Sequence, residues 1–161
     1  LLGGRFGESV DLYRAISQLP PQQMSENVAK YRDEGYTKFQ LKCGSSTYED
    51  IKRIQLTRNK ILDDDKYVLV ADANTGWLTH EAMTIVKNTQ SEDVYIEEPC
   101  ASYKENLLIR KYCQNAFIMD ECIDSIQQVI QANHDFGADC INVKISKLGG
   151  ISKTKEVRDL C

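Results

Sequence analysis

Gly35-Tyr36-Thr37-Lys38-Phe39-Gln40-Leu41-Lys42-Cys43-Gly44-Ser45-Ser46-Thr47 contains the repeating unit of the whole chain. A β-branched and aromatic run, Tyr36 to Lys42, predicts a short strand, and Ser45-Ser46-Thr47 supplies an N-cap for an amphipathic helix running to about Leu62. Outward from this unit the same alternation recurs, giving six repeats in all. The other strand candidates are Val10 to Ala15, Tyr67 to Ala71, Val94 to Glu97, Ala116 to Met119 and Cys140 to Ile145. Each is short, as a buried parallel strand should be. Pro20-Pro21 opens a helix that Gly35 stops. Thr79-His80-Glu81, Ser102-Tyr103-Lys104-Glu105 and Asp124-Ser125 open three more, Ser102 and Glu105 having the offset of a capping box, and Ile151 to Leu160 forms a sixth.

Strict alternation of strand and helix argues for an α/β fold, either an open doubly wound sheet or a (β/α)8 TIM-type barrel. A nucleotide-binding sheet would carry a glycine-rich phosphate loop after an early strand, and neither common form is present. The barrel is therefore favoured, as a partial barrel of about six βα units. With 161 residues, 42% of them hydrophobic and 27% charged, the chain suffices for one domain with a real core. The balance of 20 basic against 24 acidic residues, net −4, speaks against nucleic acid or an anionic membrane as partner. No apolar run reaches the roughly 20 residues of a membrane span, and Leu1 to Gly7 lacks a signal-peptide pattern, so a cytoplasmic protein is expected.

The six cysteines are scattered, without a C-x-x-C pair or histidines at zinc-finger spacing, and read as free thiols filling the core in a reducing compartment. His80 and His134 lie in polar, helix-like stretches and read as surface residues, which leaves a thiol nucleophile without a partner.

In a barrel, chemistry sits at the C-terminal ends of the strands. Here the second strand ends in Lys42, the third runs into Asp72-Ala73-Asn74, the fourth into Glu97-Glu98-Pro99, the fifth into Asp120-Glu121, and the sixth carries Lys144 with Lys147 beyond it. The steps between Lys42, Asp72, Glu97, Asp120 and Lys144 are 30, 25, 23 and 24 residues, one βα unit apiece. Singly, each has a structural explanation: a loop-shaping Asp or Asn, a strand halted by proline, a helix cap, a solvated lysine. Jointly, three acids at one mouth would repel unless a cation sits among them. Oxygen-only ligands point to Mg²⁺ first and Mn²⁺ second. Strands two and six of an eight-strand ring face each other, so Lys42 and Lys144 would flank a substrate held on the cation. Burial and a dication disfavour ammonium and would poise both lysines to accept a proton.

These segments resemble the successive barrel motifs of the mandelate racemase/muconate lactonizing branch of the enolase superfamily. The resemblance rests on Gly35 to Lys42, Val70-Ala71-Asp72-Ala73-Asn74-Thr75-Gly76-Trp77, Tyr95-Ile96-Glu97-Glu98-Pro99-Cys100, Met119-Asp120-Glu121 and Asn142-Val143-Lys144-Ile145-Ser146-Lys147-Leu148-Gly149-Gly150. It implies Asp72, Glu97 and Asp120 as Mg²⁺ ligands, with Lys42 and Lys144 as acid/base catalysts on opposite faces of a small carboxylate substrate. Asn74, Glu98, Glu121 and Lys147 would be supporting residues. The implied activity is abstraction of the proton α to a carboxylate through a metal-stabilised enolate, leading to racemisation, epimerisation or dehydration of an amino or hydroxy acid. The wording around Phe39 to Lys42 and Ile96 to Tyr103 is most similar to enzymes of hydroxyproline or proline-betaine type substrates, and the full-length form is expected to be a homo-oligomer.

Two departures stand out. The branch's K-x-K on the second strand is Gln40-Leu41-Lys42 here, so a neutral amide replaces the helper lysine. The N-terminal capping domain and the last barrel strands that the resemblance implies have no counterpart in these 161 residues. The alternatives are a catalytically inactive fragment or pseudoenzyme with a scaffold or binding role, and an aldolase-like barrel with a Schiff-base lysine, which would leave the three acids unexplained.

Overall fold

The computed structural model describes residue 4, residues 7–61 and residues 67–161. Six strands, β1 (Tyr13–Ile16), β2 (Lys38–Lys42), β3 (Val68–Asp72), β4 (Tyr95–Glu97), β5 (Phe117–Met119) and β6 (Cys140–Ile141), form one sheet in the order β1-β2-β3-β4-β5-β6. Every neighbouring pair is parallel. Helices α1 (Pro21–Asp33), α2 (Thr47–Arg58), α3 (Thr79–Thr89), α4 (Tyr103–Arg110) and α5 (Ile126–His134) each connect one strand to the next, followed by α6 (Ile145–Leu148) and α7 (Ile151–Leu160). Parallel strands in sequence order with a helix in every crossover are consecutive units of a (β/α)8 barrel, so the partial barrel is borne out.

Alternation along each strand divides core from site. On β2, Phe39 and Leu41 are fully buried on the helix side, each worth about 1.5–3 kcal/mol relative to exposure. Lys38, Gln40 and Lys42 face the other way, since side chains alternate across a strand. Register carries the pattern round the sheet: Lys42 pairs with Asp72, Asp72 with Glu97, and Glu97 with Ile118, so Asp120, two residues past Ile118, follows on the same face. The helix-side core runs continuously through Met24, Val28, Ile54, Ile85, Ile96 and Ile109.

Several boundaries depart from expectation. The first strand is Tyr13–Ile16, because only these residues find partners on β2, while Val10 and Leu12 are exposed. The sixth stops at Ile141 instead of Ile145, because β5 offers partners only to Cys140 and Ile141. Lys144 accordingly caps α6, a helix the sequence did not announce, through bonds from the Lys147 and Leu148 amides to its carbonyl. The second helix ends at Arg58; its expected end at Leu62 lies outside the described residues, as do Leu1 to Gly3, Arg5 and Phe6 of the opening segment.

Ser46 is the N-cap of α2 but its side chain makes no capping bond. The Ser102–Glu105 capping box is present as expected, and both histidines are exposed. Cys43, Cys100 and Cys113 are buried free thiols, whereas Cys140 and Cys161 are exposed and fill no core. Among the described residues no helix is long and apolar enough to cross a membrane.

Candidate active site

The C-terminal ends of β2 to β5 bring Lys42, Asp72, Glu97 and Asp120 to one mouth, and the segment after β6 adds Asn142, Lys144 and Lys147. The three acids are each only 1% exposed. Asp72 is the last residue of β3, and its Oδ2 accepts from Lys42 Nζ at 2.5 Å while its Oδ1 accepts from the Asn74 amide at 2.9 Å. Asn74 also takes a bond from Lys42 and donates across the mouth to Glu121 at 3.1 Å. Asn74, Thr75 and Glu98 all have positive φ, strain of the kind concentrated at functional sites.

Glu97 is held between two amides that sequence reading left without a role here. Gln40 Nε2 donates to its Oε2 at 2.7 Å and Asn142 Nδ2 to its Oε1 at 3.0 Å; Asn142 also reaches Asp120 Oδ2 at 3.2 Å. Where the family pattern has a second lysine, Gln40 therefore orients the central carboxylate. Burial, with the negative charges of Asp72 and Asp120, pushes the Glu97 carboxyl up. Tyr13 on β1 was also missed: the residue is 46% exposed, but desolvation of its phenol and the charges of Glu97, Asp72 and Asp120 push that group far up, while a bond with Gln40 opposes this.

Asp120 is paired with both lysines beyond β6. Lys147 donates to Asp120 Oδ1 at 2.5 Å, to the Asp120 carbonyl and to the Asn142 carbonyl, using all three N–H donors. Among the described residues Lys144 Nζ bonds only Asp120 Oδ2, and Lys144 is the more exposed of the two. Burial works against ionisation of Asp120, but Lys144 and Lys147 outweigh it and hold the carboxyl low. The sequence reading tied the poising of Lys144 to burial and a dication acting together. Burial does oppose its charge, yet Asp120, Glu121 and Glu97 hold the ammonium form above its ordinary range.

Glu98, fully buried, faces away from this group and accepts from the Asp120 amide at 2.6 Å, from Asn106 at 2.8 Å and from the Cys122 amide at 3.2 Å. It shapes the turn that carries Asp120. Burial pushes the Cys100 thiol up to about 11 and the Cys122 thiol further, so neither is an activated nucleophile. As they stand, no three carboxylate, imidazole or thiol groups among the described residues converge to metal-ligand distance, because Asp72 and Asp120 are turned to lysines. The donor set nevertheless fits a hard cation. It is all oxygen, buried, on consecutive strand ends, with Asn142 in reach of two of its members.

Residues 23–161 match the family model described as "Enolase C-terminal domain-like". The chain belongs to the enolase C-terminal domain-like family. It is 48% identical over 161 residues to a cis-3-hydroxy-L-proline dehydratase of Roseibium aggregatum, covering 100% of this chain and 43% of that protein. It is 28% identical over 155 residues to an N-succinyl-L-Arg/Lys racemase of Bacillus cereus, covering 94% of this chain and 42% of the relative. A Roseovarius nubinhibens structure of the mandelate racemase/muconate lactonizing type, solved in complex with magnesium, superposes with a TM-score of 0.90 at 28% identity, over 99% of this chain and 45% of that one. The chain thus spans less than half the length of the family members it matches.

Proposed function

We propose that this chain is part of the barrel domain of a longer enzyme that removes the proton α to a carboxylate, with Asp72, Glu97 and Asp120 holding Mg²⁺ and Lys42 and Lys144 moving the proton. The observation that carries this is a buried carboxylate trio with lysines on both outer members, Lys42 on Asp72 and Lys144, beside Lys147, on Asp120. Bound Mg²⁺ would stabilise the extra negative charge that develops on the substrate carboxylate as the proton leaves. Lys42 takes or returns the proton at one face of the α-carbon, Lys144 at the other. Lys147, its donors spent, is the fixed counter-charge of Asp120, whereas Lys144 Nζ has one partner among the described residues and can turn to substrate. Gln40 and Asn142 keep both Glu97 oxygens oriented.

Likeness over the whole chain to a dehydratase of cis-3-hydroxy-L-proline makes that amino acid the substrate we propose first. Abstraction at the α-carbon followed by loss of the 3-hydroxyl, protonated by the opposite lysine, gives dehydration. Return of the proton from the opposite lysine gives the epimer instead. In the full-length protein, Lys42→Ala and Lys144→Ala are each expected to abolish α-proton exchange with D₂O at one face. Normal deuterium uptake with both lysines replaced would overturn the assignment.

A further inference from the structure

Helix α2 carries a buried ion pair outside the carboxylate trio. Asp50 is 0% exposed and Arg53 4%. A carboxylate in the first turn of a helix is ordinarily solvated, but here two loops and Arg53 close over it. Its Oδ2 accepts from the Gly44 amide at 3.0 Å, the Ser45 amide at 3.1 Å and Trp77 Nε1 at 2.8 Å, and its Oδ1 from Arg53 at 2.6 Å. Arg53 in turn donates to the Leu19 carbonyl at 2.9 Å, Ser45 Oγ at 2.8 Å and Glu49 at 2.9 Å. Leu19, Ser45 and Trp77 belong to the loops after β1, β2 and β3, so one pair of side chains ties three consecutive loops together.

The second and third of these loops also touch through backbone. A Cβ on Gly44 would lie 2.4 Å from the Ala73 carbonyl oxygen, and one on Gly76 would lie 2.7 Å from the Gly44 carbonyl oxygen. From there the wiring reaches the site directly. The Cys43 amide donates to the Asp72 carbonyl at 2.8 Å, and the Trp77 amide to the Pro99 carbonyl at 3.0 Å. Lys42 precedes Cys43, and Asp72 begins the loop that Trp77 ends. The Asp120 half hangs on the Glu98 carboxylate, and the loop after β3 meets it at one remove, where the Thr75 amide donates to the Glu98 carbonyl at 2.9 Å and Asn74 to Glu121 at 3.1 Å.

We propose that Asp50 is a positioning residue for the Lys42–Asp72 half of the site, acting with Arg53 and Trp77 as a clamp on the loops after β1, β2 and β3. This rests on the assignment of Lys42 as one of the two proton carriers. An apolar filling could stabilise these loops equally well; a fully bonded buried network additionally fixes one geometry. A general stabiliser would serve both halves alike, whereas this clamp bonds the loops of the Lys42–Asp72 half directly and reaches the Asp120 half only through Asn74, Thr75 and Trp77.

Asp50→Asn keeps the size and removes the charge. Trp77→Phe removes one donor and nearly conserves the volume, and is the second variant should the first fail to fold. In the full-length protein, either variant is expected to speed amide hydrogen exchange about tenfold or more in 73–77, with 120–123 within about twofold of wild type. Unchanged protection in 73–77 overturns the clamp. The second measurement is α-proton exchange in D₂O with Mg²⁺, using L-proline and D-proline as probes. The enantiomer whose exchange Lys42→Ala abolishes should slow about tenfold or more, the other by no more than about twofold. Equal slowing of both overturns the positioning role. Wild-type protein that exchanges neither probe counts against the proposed function, and amide exchange then decides the clamp by itself.

Discussion

Gly44→Ala tests the close approach of the loops after β2 and β3 in a way that separates two energies. Gly44 has φ +97°, where any side chain is strained, and an added Cβ would also meet the Ala73 carbonyl oxygen at 2.4 Å and its carbon at 3.3 Å. Gly35 has nearly the same φ, +98°, and nothing within 4 Å of its would-be Cβ. Gly35→Ala therefore incurs only the conformational cost, about 1–2 kcal/mol. Gly44→Ala adds overpacking against backbone that no rotamer change relieves, about 1–3 kcal/mol more. Against a typical stability of about 5–15 kcal/mol the sum of about 2–5 is severe. At about 2–4 °C per kcal/mol, Gly35→Ala should lower Tm by about 2–8 °C and Gly44→Ala by about 4–20 °C. Both variants are compared with wild type by thermal unfolding in the same full-length background, so that contributions from the rest of the protein cancel. A Gly44→Ala shift no larger than that of Gly35→Ala would refute the close approach and, with it, the direct coupling of Lys42 to the Asp72 loop.

Mg²⁺ is expected to raise Tm of the wild-type protein, by the equivalent of about 2.7 kcal/mol at a hundred times Kd, and to leave Glu97→Gln unmoved; calorimetric titration with Mg²⁺ gives the Kd. Asp120 is held low by its lysines, so it contributes stability that is present above its ordinary value of 3.8 and lost as pH falls through the lower value it has in the fold. Asp120→Asn should therefore flatten the acid limb of a plot of Tm against pH. Ser102→Ala deletes the side-chain cap of α4 and should cost about 1 kcal/mol in urea unfolding, with no change in Mg²⁺ affinity.

The parts of the site legible in the sequence were those whose spacing repeats with the fold. Lys42, Asp72 and Glu97 each end a strand, and Asp120 directly follows one; their separation is the length of one βα unit, which strand period and helix caps reveal without coordinates. What escaped was set by contacts between units. Gln40 and Asn142 are neutral amides whose role exists only because Glu97 lies between them, 57 and 45 residues away in the chain. Tyr13 begins a strand and reaches the same group. Asp50 and Arg53 lie within the second helix, and nothing in their spacing says that three loops fold over them. Strand six was drawn too long for the same reason: Asn142 to Ile145 has strand-like composition, but no partner on β5 remains for it.

By itself, then, the sequence determined the order of the strands and of the helices that connect them, and the residue types at strand ends, because both follow from local periodicity and from the alternation of side chains along a strand. Tertiary structure decided the electrostatic surroundings of Lys144. The pull of Asp120, Glu121 and Glu97 on Lys144 exceeds the opposing effect of burial, and the sum of such fields depends on distances that no single segment encodes. It also decided which lysine beside Asp120 is spent and which is free, since that turns on whether three carbonyl and carboxylate oxygens converge on one amine.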